Sequence, residues 1–323
     1  MTTRRQVVLA LAFGALHFPI AKGQQRLPRI GMLAGAPIDK SLLASMLLNE
    51  LAERGYRRDT GMALEYRYAD RPDRYPALAR ELFTRKCDVI FSFVTEEPAR
   101  ALRDAGTAVP VVLLALDYDP VEKGIVESFA RPGANITGVH TPSGAIVAKW
   151  LEIAQELLPR ARRFLVLGDH HNRDHVAALR KAAEARRLQL TVIEFKESPY
   201  NFRAALESGR REGVDGVIVL TNPEAARRRA EIGALLSSHK LPSMVGTVLS
   251  NEPGILVSYS HDLRRSVRRG VDMAIRILKG TKPADIPIEQ ADTYDLVLNL
   301  KTAKALGVNI PQAVMARATR LIE

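Results

Sequence analysis

ARPGANITGVHTPSGAIVAKWLEIAQELLP, residues Ala130–Pro159, joins a strand signal to a helix signal across a break. A Pro-Gly turn at Pro132-Gly133 precedes the β-prone segment Asn135 to His140. Pro142 and Gly144 then interrupt the chain, and apolar residues recur at helical spacing up to the second leucine of Leu157-Leu158. This pattern predicts a strand leaving one unit and a helix entering another, the first crossing between two α/β lobes with a cleft between them.

Outward from that stretch the same alternation appears on both sides. Before it, Arg29 to Leu33, Met62 to Tyr68, Val89 to Phe93 and Val111 to Leu116 read as strands. Helices over Ser41 to Arg54, Tyr75 to Arg85 and Glu97 to Ala105 alternate with them. After it, strands are expected at Arg163 to Leu167, Gln189 to Phe195, Gly216 to Leu220 and Ser243 to Gly246. The helices between them span Asp174 to Arg187, Asn201 to Arg210 and Pro223 to His239. Strand and helix alternating in this way give parallel sheets covered on both faces. The β-prone run Gly254 to Tyr259 leads to a helix over Leu263 to Lys279, and the Pro-containing segment Ile286 to Gln290 precedes a strand at Tyr294 to Leu298. These two runs predict a second and a third crossing. The expected architecture is therefore α/β, two doubly wound parallel-sheet lobes joined by a three-strand hinge. The first lobe is assigned to 28–140 plus 260–286 and the second to 141–259 plus 287–323.

Three blocks carry a family resemblance. RPGANITGV (131–139) with RRFLVLGD (162–169), RPDRYPALARELFTRKCDVIFSF (71–93), and above all YDLVLNLKTAKALGVNIP (294–311) resemble the tryptophan/tyrosine-type ABC-transporter substrate-binding proteins. That family has the type I periplasmic-binding-protein fold. The resemblance runs from about Pro28 to the C-terminus. It implies a periplasmic protein that captures a small molecule, an aromatic or other amino acid, and presents it to ABC permease and ATPase subunits. It also implies a monomer, no cofactor, no nucleic acid, and membrane association only through the permease.

In parallel sheets ligands bind beyond the carboxyl ends of the strands, which selects the candidate residues. In the first lobe these are Thr95 and Glu96 after the third strand, and Tyr118 and Asp119 after the fourth, in the loop Asp117-Tyr118-Asp119-Pro120. At the crossing they are Thr141 and Ser143. In the second lobe they are Asp169, His170, Thr221, Asn222 and Tyr259. The family implies a hydroxyl and a helix N-terminus receiving a ligand carboxylate. Thr95 keeps the hydroxyl, whereas Glu96 and Glu97 place negative charge there. Glu97 is read first as a first-turn capping residue, whereas Glu96 fits capping and a cleft role equally, and Asp119 equally fits a turn cap and a ligand contact. If Glu96 faces the cleft, the ligand has no carboxylate at that end. Tyr118 and Tyr259 either sandwich a planar group or pack at the lobe edges. His170-His171, with His175 beyond, stand where the family more often has Asn-Pro. A polar cleft-edge loop is the expected reading and a metal site the alternative. Ser260 stands where the family has glycine, which would stiffen that corner.

Composition narrows the function classes. The 323 residues hold 47 Lys and Arg against 36 Asp and Glu, a formal charge of +11. The cations are spread over many helices without interleaved aromatics, as on a solvated basic surface rather than a nucleic-acid face. Residues 1–23 combine a basic Thr3-Arg4-Arg5, an apolar Val7 to Phe18 and small residues around Lys22. They predict a signal peptide cleaved near Gly23, exported by the ordinary Sec route, with the twin arginines also permitting Tat. Cys87 is the single cysteine, so no internal disulfide forms, and its place at a strand entry predicts a buried side chain. No G-x-S-x-G elbow, phosphate loop, H-E-x-x-H or dinucleotide turn occurs. An enzyme or a sensor domain on the same scaffold is the competing reading, and the leader occupies the place where a repressor-like sensor would carry its DNA-binding helices.

Overall fold

A computed structural model describes residues 26–106, 108–116, 118–133, 135–246 and 252–323. The expected leader and Asp117 lie outside the described residues. Two sheets form two lobes. The first is built from β1 (Arg29–Ala34), β2 (Ala63–Tyr68), β3 (Val89–Val94), β4 (Val111–Ala115) and β5 (Ile136–His140). A two-residue strand, β11 (Glu289–Gln290), completes it in the order β2-β1-β3-β4-β5-β11, with every pair parallel. The second contains β6 (Arg163–Asp169), β7 (Gln189–Phe195), β8 (Gly216–Val219), β9 (Ser243–Val245), β10 (Val257–His261), β12 (Tyr294–Asn299) and β13 (Arg320–Ile322). Its order is β7-β6-β8-β9-β10-β12-β13. The five leading strands of each lobe follow one winding order.

The period of two along each strand explains the layers. In β1, Ile30, Met32 and Ala34 join the core under α1 (Leu42–Glu53) and α9 (Leu263–Leu278), whereas Leu33 joins the core under α2 (Tyr75–Thr84) and α3 (Glu96–Asp104). The second sheet is sandwiched likewise. Phe164 and Val166 face α4 (Ser143–Leu157) and α5 (Arg173–Ala185), and Leu165 and Leu167 face α6 (Phe202–Arg211) and α8 (Arg229–Ser238). Helix α9 shows the mechanism most clearly. Leu263, Val267, Val271, Ala274 and Ile277 are buried on one stripe, and Arg264, Arg265, Arg268 and Arg276 stand exposed on the other. Gly270 lets this helix approach the sheet, since a Cβ there would lie 2.9 Å from Leu114 Cδ2. Gly138 in β5 has φ of 151°, and a side chain would meet the Leu113 carbonyl oxygen at 2.2 Å, so only glycine fits. Cys87 is buried, as its position predicts, and burial pushes its thiol up to about 11.

The chain passes between the sheets three times: from β5 into α4, from β10 into α9, and from β11 into β12. β10 keeps Ser260 and His261 in the second sheet and β11 stays with the first, so the crossings fall at 141–142, 262 and 291–293. They are tied to one another through Ala291 N to His140 O (2.8 Å) and Asp262 N to Thr293 O (3.0 Å). Three sequence expectations are corrected. The second sheet is not wholly parallel, because β12 returns antiparallel to β10. The helix expected over Pro223 to His239 is two, α7 (Pro223–Arg227) and α8, broken at Arg228. The loop at His170 is a 3-10 turn over His170–Asn172 that runs into α5. The tail folds as α10 (Leu300–Leu306), α11 (Gln312–Met315) and β13. No helix among the described residues is long and apolar enough to cross a membrane.

Candidate ligand-binding cleft

The carboxyl ends of β3, β4 and β6 converge on a cavity of about 270 Å³ between the lobes, where the topology rule places ligands. Thr95, Glu96 and Glu97 enter it from the N-terminus of α3, Tyr118 and Lys123 from the loop after β4, and His170, His171, Arg173 and Asp174 from the turn after β6. Three carboxylates thus face two permanent cations and two imidazoles. Two contacts bridge the cleft: Lys123 Nζ lies 3.1 Å from Asp174 Oδ2, and His171 Nε2 lies 3.6 Å from Glu97 Oε1. Lys123 also lies 3.7 Å from Glu96 Oε2. The Asp174 hydrogen bond, outweighing burial, holds its ammonium above the usual lysine range.

Glu96 accepts from Arg100 Nη2 at 3.2 Å through Oε1, one turn along α3. The Oε2 atoms of both Glu96 and Glu97 are buried and accept no hydrogen bond from the described residues. Buried carboxylate oxygens left this way are costly. Tyr118 is buried against them, and burial first, then the two glutamates, raise its hydroxyl pKa, so the phenol stays a neutral donor.

Below the second-lobe wall a chain of hydrogen bonds fixes His171. Its backbone N–H and ring Nδ1 lie 3.0 and 3.1 Å from Asp169 Oδ1, and Asp169 Oδ2 accepts from the Tyr200 hydroxyl at 2.8 Å. Burial opposes ionisation of Asp169, yet the bonds from His171 and Tyr200 win and its pKa falls below the usual carboxylate range. Glu224 beneath accepts from Tyr200 N at 2.9 Å and pairs with Arg228 at 3.1 Å.

The cavity brings together Thr95, Glu96, Tyr118 and His170 of the sequence candidates. Others are placed elsewhere. Asp119 Oδ1 accepts from Val121 N and Glu122 N and caps its turn. Thr141 is buried and donates to the Leu116 carbonyl at 2.5 Å. Asn222 caps α7 by accepting from Ala225 N at 2.8 Å, and the Thr221 carbonyl accepts from Asn172 Nδ2. Asp169 stands behind His171 rather than in the lining. Tyr259 stacks on Tyr294 at 5.4 Å and its carbonyl accepts from the Trp150 indole, so it forms no sandwich with Tyr118 around this cavity. The Ser143 side chain lies outside the described residues. His175 is buried against Trp150, away from its neighbours in sequence. Sequence reasoning passed over Lys123, Arg173 and Asp174, whose charges look like ordinary surface charge until the lobes face each other.

Two parallel α/β lobes enclosing a polar cavity define a type I periplasmic-binding-protein architecture. The glucose-galactose binding protein GanP from Geobacillus stearothermophilus shares it, with a TM-score of 0.59 at 14% identity over 85% of this chain and 97% of that one. The pattern of the ABC transporter substrate binding protein family matches residues 41–322, and the chain belongs to that family. It is thus a binding protein of an ABC transporter and not an enzyme. The tyrosine-binding protein of Clostridioides difficile (strain R20291) is 24% identical over 266 residues, 81% of this chain and 75% of that one. A conserved domain protein from Vibrio cholerae superposes with a TM-score of 0.79 at 24% identity. The ABC domain from Streptococcus pneumoniae in complex with L-Trp superposes with 0.77 at 23%. Each match covers 92% of this chain and 100% of the other.

Proposed function

We propose that this chain is the periplasmic capture subunit of an importer, that its cargo is an aromatic amino acid, and that the cargo's ammonium group lies against Glu96. The observation that carries the orientation is Glu96 in the cavity lining with a buried Oε2 that accepts no hydrogen bond from the described residues and has only Lys123 Nζ nearby, at 3.7 Å. A ligand carboxylate about 4 Å from it would cost on the order of 4 kcal/mol at an effective dielectric near 20, which Lys123 only partly offsets. An ammonium there gains instead, and the ligand carboxylate is left to Arg173 on the second-lobe wall. Relatives named for tyrosine binding and solved with L-Trp support the amino-acid class. A volume of about 270 Å³ suits a metabolite of that size, at the low end of small-molecule sites of about 300–1,000 Å³. The leader supports export, and closure of the lobes on the ligand gives permease and ATPase subunits a state to recognise.

Calorimetry of wild type and Glu96→Ala against tryptophan, tyrosine, their N-acetyl derivatives and sugars tests this. Tight binding of a free aromatic amino acid is expected, weakened at least tenfold by N-acetylation and by Glu96→Ala. Binding of sugars alone overturns the cargo class, and amino-acid affinity unchanged in Glu96→Ala overturns the orientation.

A further inference from the structure

We infer that the cleft also binds a divalent transition-metal ion, held by Glu97 of the first lobe and by His170 and His171 of the second. The potential ligand atoms of these three residues all lie within 4.8 Å of one another. Ligands of a tetrahedral ion at about 2.0–2.2 Å stand roughly 3.4 Å apart, and the 3.6 Å between His171 Nε2 and Glu97 Oε1 is already of that size. Two further observations point the same way. Asp169 engages Nδ1 of His171 from behind, and with the ring N–H committed there, the Nε2 lone pair faces Glu97. This is the carboxylate–histidine support that metal-ligating imidazoles receive, and it is itself braced by Tyr200. Glu97 also presents a buried carboxylate oxygen that accepts no hydrogen bond from the described residues. The rings of His170 and His171 stand 3.8 Å apart. Protonated together they would repel, whereas neutral imidazoles converging with a carboxylate attract a cation.

Two imidazoles and one carboxylate select zinc, nickel or copper over magnesium and calcium, which take oxygen ligands. Three protein ligands leave a coordination position open towards the cavity. Because the ligands come from both lobes, the ion fastens the cleft shut, independently of which solute occupies the rest of the cavity.

The test titrates untagged, chelator-stripped protein with ZnCl2, NiCl2 and MgCl2, without amino acid, by calorimetry and small-angle scattering. One Zn²⁺ or Ni²⁺ per chain, a decrease in radius of gyration and no Mg²⁺ binding are expected. Affinity should fall at least tenfold in Glu97→Gln and in His171→Ala, and about 10- to 100-fold in Asp169→Asn, which leaves all three ligands in place. Melting curves without metal check each variant's fold, and His170→Ala serves where Asp169→Asn does not fold. Absence of zinc binding, or equal affinity in Glu97→Gln, overturns the site. A parallel amino-acid titration in excess chelator separates the two readings: amino-acid binding without zinc binding overturns only the metal site, and the reverse overturns only the cargo.

Discussion

Tyr200 governs a histidine that it does not touch. Its hydroxyl holds Asp169, and Asp169 holds His171 at the cleft, while the ring stacks on Phe195 at 4.7 Å. Tyr200→Phe keeps the stack and removes one hydrogen bond to a buried carboxylate. Urea unfolding at pH 7 should show a loss of about 1–3 kcal/mol. Asp169 has a folded pKa below its ordinary value, so its contribution is present above the unfolded pKa of about 3.9 and vanishes as pH falls through the folded one. Wild type and Tyr200→Phe should therefore converge in strong acid; a difference that persists there would assign the loss to packing. The same residues mark the limit of reading a sequence. Asp169 and Asn222 are both polar groups at strand ends, and nothing local tells that one braces a histidine while the other caps a helix. Glu96 differs because two competing roles, i,i+4 pairing with Arg100 and facing the cavity, are fulfilled by its two oxygens.

At the scale of elements, β5 and β10 both end in a buried histidine just before their crossing. His140 stacks on Phe129 at 5.1 Å with Nδ1 3.2 Å from the Tyr118 carbonyl oxygen, and His261 lies against Tyr294 at 4.5 Å. Burial lowers both pKa values, that of His261 to about 4, with a further contribution from the charge of His140. A folded value below the unfolded one of about 6.5 means that the unfolded chain takes up the proton first. Stability is full above about pH 6.5 and declines as pH falls towards 4. His261→Phe, which keeps the ring contact, should flatten the fall of the urea midpoint between pH 6.5 and 4.5; an unchanged slope would exclude His261 as its source. Period-two and helical patterning made most elements legible, because each buries one face or stripe. The break at Arg228 was not, since arginine is a good helix former and the interruption coincides with its side-chain bonds to Tyr200 O, Glu224 and Glu231. The antiparallel β12 was also hidden, because strand direction is set by the third crossing and leaves no mark on local sequence.

For the whole molecule, the two-lobed plan was readable from a repeated strand-helix order, and YDLVLNLKTAKALGVNIP added the family. The cleft was not readable in the same way, because it is made where loops distant in sequence meet. Two contacts span it near the rim, Lys123 with Asp174 and His171 with Glu97. Asp174 is 63% exposed, and pairs of that kind contribute about 0–1 kcal/mol. The Lys123–Asp174 pair therefore biases closure by a few-fold at most, and the larger part must come from the more buried side of the cleft and from what the cavity holds.

Helix α9, one wall of the first lobe, lies in the sequence after ten strands, five of them in the other lobe. During synthesis the sheet face carrying Phe91, Val112 and Leu114 therefore stays without that cover until residues 263–278 emerge. The lobe begun first is finished late, and its apolar sheet face is complete only when most of the chain has been made. A truncated chain ending at Asp262 should accordingly bind a hydrophobic dye and lose its first lobe to limited proteolysis, and a protease-resistant first lobe would show that α9 is dispensable for folding.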